Sequence, residues 1–149
     1  MATHSHVKVY IHTIWGTYKR ERILTREIRL KLFDHLIERF NELEMIVEKM
    51  NIQTDHLHIL YQMPMNMTLS EVPKNLKGES SHWINQQDFF RGKFRWQRGY
   101  GAYSVSASLV DTVKHYIEHQ EEHHKRKTFA EEYKEWAAKY GVWAEDDEI

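Results

Sequence analysis

Two periodicities alternate along this chain in a single order, and that order leaves few folds open. Val7-Lys8-Val9-Tyr10-Ile11-His12-Thr13-Ile14 alternates apolar and polar positions, which marks a half-buried strand with His12 on its outer face. Thr25 can cap the helix that follows, and Glu27 suits its first turn. Ile28, Leu32, Leu36 and Phe40 then recur at every fourth position, with Phe33 and Ile37 widening the stripe. This pattern predicts an amphipathic helix of about five turns.

Met45 to Met50 reads as a second strand, residues 51–55 as a short polar connection, and His56 to Met63 as a third strand. Pro64 ends the third strand because proline has no amide to give a ladder. Thr68 to Gln87 reads as a second helix, with Thr68 and Glu71 at capping-box spacing. Pro73 is poorly tolerated beyond a first turn, which allows a regular start at Ser70. Leu76, Ser80, Trp83 and Ile84 are its expected buried face. Tyr103 to Ser106 is the expected fourth strand.

Ser108 opens the next helix, with Val110, Val113 and Ile117 inward and Lys114, Glu118, Glu121 and Glu122 solvated. Tyr116 and Gln120 stand four apart, on one face. Thr128 and Glu131 repeat the capping pattern, and Phe129, Tyr133, Trp136 and Tyr140 support a last helix closed by Gly141.

The order is β-α-β-β-α-β followed by two helices. It predicts an α+β fold: a ferredoxin-like sandwich with a four-stranded antiparallel sheet plus C-terminal helices. One sheet face is then covered by helices and the other left open to a substrate. A single domain is expected over residues 1–149, with a core at about 7–125, a C-terminal helix at about 128–141 and an acidic tail at 144–149.

Composition excludes several classes. Cysteine is absent, so there is no disulfide framework or thiolate chemistry. No apolar run approaches the roughly 20 residues that span a bilayer, and Met1 to Lys8 lacks a signal-peptide core. A cytoplasmic protein with no membrane partner is the expectation. The net charge of −1 means that any polyanion must be held by a local patch.

Asp55-His56-Leu57-His58-Ile59-Leu60 carries the first chemical signal. On a strand His56 and His58 share one face, while Leu57 and Ile59 face a core. Two imidazoles so placed can hold a divalent ion if a third ligand comes from elsewhere. A half-buried strand with two exposed histidines has the same spacing, so spacing alone leaves both readings open. The second signal is Phe90 to Tyr100, where four cations and four aromatics fall within eleven residues. Such a loop suits a polyanion with stackable bases, or a loop whose aromatics are partly core. The DNA-contact candidates are Lys19, Arg20, Arg22, Arg91, Lys93, Arg95, Trp96 and Arg98.

From Val7 to Gly141 the chain resembles the single-tyrosine HUH transposases, specifically the REP-associated tyrosine transposases. The blocks that carry this are Asp55 to Leu60, Leu76 to Ile84, Trp96 to Ser106 and Tyr116 to His124. The resemblance implies cleavage and strand transfer of single-stranded DNA, at hairpin or repeat sequences, through a covalent 5′-phosphotyrosine link. Carried over by motif, the metal ligands are His56, His58 and Gln120, the nucleophile is Tyr116, and the ion is Mg²⁺ or Mn²⁺. The implied partners are single-stranded or hairpin DNA and a second copy of the chain. Imidazoles favour Zn²⁺ over Mg²⁺, a tension that a glutamine carbonyl and waters would ease.

His123 and His124 are alternative third ligands, and His115, His119 and His123 form a stripe that could hold Zn²⁺. The competing functional reading is a non-catalytic nucleic-acid-binding module on the same fold.

Overall fold

Thr25 caps the first helix as its position implies: its Oγ1 accepts from the Ile28 amide at 3.4 Å. The computed structural model describes residues 5–120 together with Glu131 and Lys134. The elements are β1 (Tyr10–Gly16), α1 (Arg26–Glu42), β2 (Val47–Ile52), β3 (His56–Gln62), α2 (Glu71–Asn85), β4 (Gly101–Val105) and α3 (Val110–Glu118). Short 3-10 turns at Tyr18–Arg20 and Ala107–Leu109 join β1 to α1 and β4 to α3. The expected final helix and acidic tail lie outside the described residues, apart from Glu131 and Lys134, which are helical.

The sheet order is β2-β3-β1-β4, and every neighbouring pair is antiparallel. Each β-α-β unit therefore closes around a strand of the other, the split arrangement of the ferredoxin-like fold. β3 and β1 become the inner strands. Period two sorts their side chains. Ile11 and Trp15 of β1 join Leu57, Ile59 and Tyr61 of β3 in one core with Leu32, Leu36 and Phe40 of α1 and Leu76 of α2. Phe33 and Ile37, expected to widen the stripe of α1, are exposed instead, at 38% each.

β2 begins two residues later than expected because α1 ends in a Schellman turn. The Met45 amide donates to the Phe40 carbonyl at 2.9 Å and the Glu44 amide to that of Asn41 at 3.1 Å. Glu44 sits at φ 54°, a left-handed position where glycine is usual, so no sequence signal marks the stop. α2 starts at Glu71, and its amide donates to Thr68 Oγ1 at 3.3 Å. Pro73 thereby falls in the first turn, where its missing N–H costs no helical bond.

The second sheet face is not open as expected. Val110, Val113 and Ile117 of α3 close over Leu60 of β3 and Val105 of β4. The turn after β4 reverses the chain, and side chains of β2 hold the returning helix. Asn51 Nδ2 donates to the Ile117 carbonyl at 2.9 Å, Lys114 meets Glu48 at 3.2 Å and Glu118 meets Lys49 at 3.6 Å. The Gln62 amide bonded to Glu48, followed by the Lys114 ammonium, holds the Glu48 carboxyl below its ordinary value against the opposing effect of desolvation. Residues 56–61 are consequently buried on both faces.

Candidate active site

His56 and His58 project from β3 beneath α3 and are fully buried, with ring centroids 5.1 Å apart. Their Nδ1 atoms have different partners. His56 Nδ1 donates to the Asp55 carboxylate at 2.7 Å, which fixes the neutral ring with its proton on Nδ1. His58 Nδ1 lies 2.9 Å from His12 Nε2. His12 is fully buried as well, so the reading of it as an outer-face residue fails. The alternation correctly put His12 opposite the core formed with α1 and α2. That opposite face is an interior only because α3 folds back over it.

Tyr116 lies on the same α3 face, with its ring 6.1 Å from that of His58 and nearly perpendicular at 77°. Gln120, one turn on, is fully buried, and its Nε2 donates to the Tyr116 carbonyl at 3.3 Å. The carboxamide oxygen is the Gln120 atom that would ligate a cation, since the amide nitrogen only donates. One chain thus brings His56, His58, Tyr116 and the start of the Gln120 turn to one side of the sheet.

The donor chemistry fits a divalent ion. With both Nδ1 atoms engaged, Nε2 is the nitrogen through which either imidazole would ligate an ion, and Gln120 Oε1 would add a neutral oxygen. Among the described residues no three His, Cys, Asp or Glu side chains converge to hold a metal, so within them a third protein ligand would be of another type. His123 and His124 lie outside the described residues. The proposed zinc stripe is represented only by His115 and His119, whose rings are 4.1 Å apart, and His119 Nδ1 donates to the His115 carbonyl at 2.8 Å.

A second feature opens where β1 ends. Tyr18, Lys19, Arg20, Arg95, Trp96, Gln97 and Arg98 line an open cleft of about 830 Å³. Segment 95–97 extends the sheet locally: the Tyr18 amide donates to Arg95 at 3.1 Å and the Gln97 amide to Gly16 at 2.8 Å. A Cβ at Gly16 would meet Gln97 Oε1, the movable end of a side chain, at 2.8 Å and the Asp55 carbonyl oxygen at 3.1 Å, so the approach is tight for any residue larger than glycine. Lys19 and Arg20 both sit at φ 54°, a strained pair of left-handed residues that carries two cations on the cleft wall. The Arg95 guanidinium lies 3.7 Å from the centre of the Tyr18 ring. The cleft adjoins the histidine centre through Thr17, whose amide donates to the Asp55 carbonyl at 2.8 Å.

One face of α2 pins the cleft loop. Asn85 bonds both backbone groups of Phe94, at 2.7 and 2.9 Å. Lys77 Nζ donates to the carbonyls of Arg98 and Gly99 at 3.1 and 3.0 Å. Burial pushes its amine down to about 8. Trp96 Nε1 donates to Ser80 Oγ at 2.9 Å.

The structure brings Lys19, Arg20, Arg95 and Arg98 together. Trp96 differs from its expected role as a stacking platform: it is 6% exposed and packs edge-on against Trp15 and Phe94. Its indole belongs to the core because Ser80 satisfies its N–H there. Arg22, Arg91 and Lys93 are exposed but do not line the cleft. The sequence reading missed Tyr18, whose one signal was an aromatic next to two cations.

A ferredoxin-like sheet with a histidine pair beneath a tyrosine-bearing helix defines the class of site. Residues 5–120 match the family described as "Transposase IS200 like", and the chain belongs to that family. Two solved structures share the fold. A candidate transposase from Deinococcus radiodurans R1 is 22% identical over 80% of this chain and 96% of its own, with a TM-score of 0.63. The REP-associated tyrosine transposase bound to a REP hairpin is 14% identical over 83% of this chain and 74% of its own, with a TM-score of 0.59. No curated protein matches the chain. Among the described residues, no helix is long and apolar enough to cross a membrane.

Proposed function

We propose that this transposase-family chain cleaves and rejoins single-stranded DNA at hairpin or repeat sequences, with Tyr116 as nucleophile and His56, His58 and Gln120 as ligands of Mg²⁺ or Mn²⁺. The observation that carries this reading is the position of Tyr116, its ring 6.1 Å from His58 within one chain. When bound, the ion would polarise a non-bridging phosphate oxygen and offset the charge that develops there.

The protein's own groups do the rest. Tyr116 Oη loses its proton and forms a bond to the scissile phosphorus. The P–O3′ bond breaks, and the departing oxygen takes up a proton to become a 3′-hydroxyl. The 5′-phosphotyrosine ester keeps the energy of the broken bond, so a second 3′-hydroxyl can reverse the step without another energy source. Asp55 holds the His56 ring, and α3 excludes bulk water from the histidines. Lys19, Arg20, Arg95 and Arg98 give the cleft its phosphate contacts, and Arg22, Arg91 and Lys93 widen the basic surface. The functional unit is a homodimer, measurable by sedimentation.

The test uses a labelled hairpin flanked by single strands, incubated with Mn²⁺. A covalent protein–DNA adduct forms with the wild type and is absent in Tyr116→Phe. An adduct that survives the substitution removes Tyr116 as nucleophile. Hairpin binding that withstands EDTA, with no cleavage of any hairpin, would favour the non-catalytic module instead.

A further inference from the structure

The two candidate ligands on β3 are oriented by chemically different partners, and the difference assigns a role to a third histidine. Asp55 can only accept, so its carboxylate fixes the proton of a neutral His56 ring on Nδ1. His12 Nε2, 2.9 Å from His58 Nδ1, can either accept or donate. If it donates, the His58 proton is displaced to Nε2, the nitrogen through which His58 would meet an ion.

We propose that His12 is a positioning residue for His58: His12 Nε2 accepts a hydrogen bond from His58 Nδ1 and so keeps the lone pair of His58 on Nε2. This rests on the reading of His56 and His58 as metal ligands. The geometry is that of an in-plane bond. The ring planes are only 25° apart, and centroids 5.2 Å apart with nitrogens 2.9 Å apart mean that the rings meet edge to edge, not face to face. An imidazole N–H and lone pair both lie in the ring plane, so this arrangement aligns donor and acceptor.

His12 is also well placed to hold a direction. It sits on an inner strand, laddered on one side to Leu60 of β3 and on the other to Tyr103 of β4. Both rings are fully buried, so water does not compete for the bond. His12 thus does for His58 what Asp55 does for His56, and the two candidate ligands present the same nitrogen.

Long-range ¹H–¹⁵N spectra of the metal-free protein read the His58 tautomer directly. The expected result is an Nδ1-protonated His58 in the wild type and in His12→Gln, whose side chain keeps an acceptor at that reach. In His12→Phe, which fills the space with no acceptor, His58 shifts toward the Nε2-protonated form. Calorimetric titration with Mn²⁺ then shows His12→Phe weakened by about 10–100-fold, the usual cost of losing an orienting partner, and His12→Gln near wild type. The proposal is overturned if His58 in the wild type carries its proton on Nε2, or if His12→Phe binds Mn²⁺ as tightly as wild type. A wild type that takes up no Mn²⁺ removes the metal reading alone, and the tautomer spectrum still decides the role of His12. Should His12→Phe not fold, the wild-type spectrum is sufficient.

Discussion

The histidine centre and the basic cleft adjoin at Thr17 and Asp55, yet they are built on opposite plans. In the centre every imidazole is fully buried and held through its side chain, His56 by Asp55 and His58 by His12. In the cleft it is the backbone that is held, by Lys77 and Asn85 of α2, while the side chains of Lys19, Arg95 and Arg98 reach solvent. The contrast follows from the chemistry. On the proposed function, ligation and in-line attack would need atoms placed to a fraction of an ångström, which removing side-chain freedom would supply. Phosphate contact would act through charge over a longer range, so solvent-exposed cations would suffice if their loop is anchored.

Breaking the centre should give the largest effect. His58→Ala is expected to abolish Mn²⁺ uptake in calorimetry and slow adduct formation by at least about 10²–10³-fold, the scale of a lost electrostatic stabiliser. Hairpin affinity measured without metal should change little; a large loss there would mean that the two regions are not separable.

Next is the anchoring of the cleft loop. Asn85→Ala leaves both backbone groups of Phe94 without their partner and should cost about 1–3 kcal/mol in chemical denaturation. Arg95→Ala with Arg98→Ala should weaken hairpin binding and lower the salt slope by about one unit per cation removed, leaving Mn²⁺ affinity intact. An unchanged slope would take the cleft out of the DNA path.

Smaller effects sharpen the fold. Glu44→Gly relieves a left-handed residue and should stabilise by about 1 kcal/mol, read from the denaturant midpoint. Lys77 gives a pH signature. Burial lowers its amine from 10.5 to about 8, so between those values the unfolded chain binds more protons and stability rises with pH. Tyr61, pushed up to about 12 chiefly by burial, works the other way above its ordinary value of 10, so the wild type is compared with Lys77→Met, in which Tyr61 is unchanged. The rise should vanish in the variant.

Much of this could be read from residue order. The stripe Ile28, Leu32, Leu36 and Phe40 and the alternation through His56 to Gln62 each report a local period, and local periods survive without knowledge of what packs on them. The spacing of Tyr116 and Gln120 was legible for the same reason. The stop of α1 was not, because Glu44 occupies a position normally betrayed by glycine. Trp96 looked like a stacking platform because composition does not record that Ser80 takes its N–H.

The sequence by itself determined the element order, the shared face of His56 and His58 and the family to which the chain belongs. Tertiary structure alone decided that this face is an interior, that His12 meets His58 across 46 positions, and that α2 anchors the basic loop. The physical reason is that a period names the face of an element, whereas register and the return of α3 depend on contacts between residues far apart in the chain.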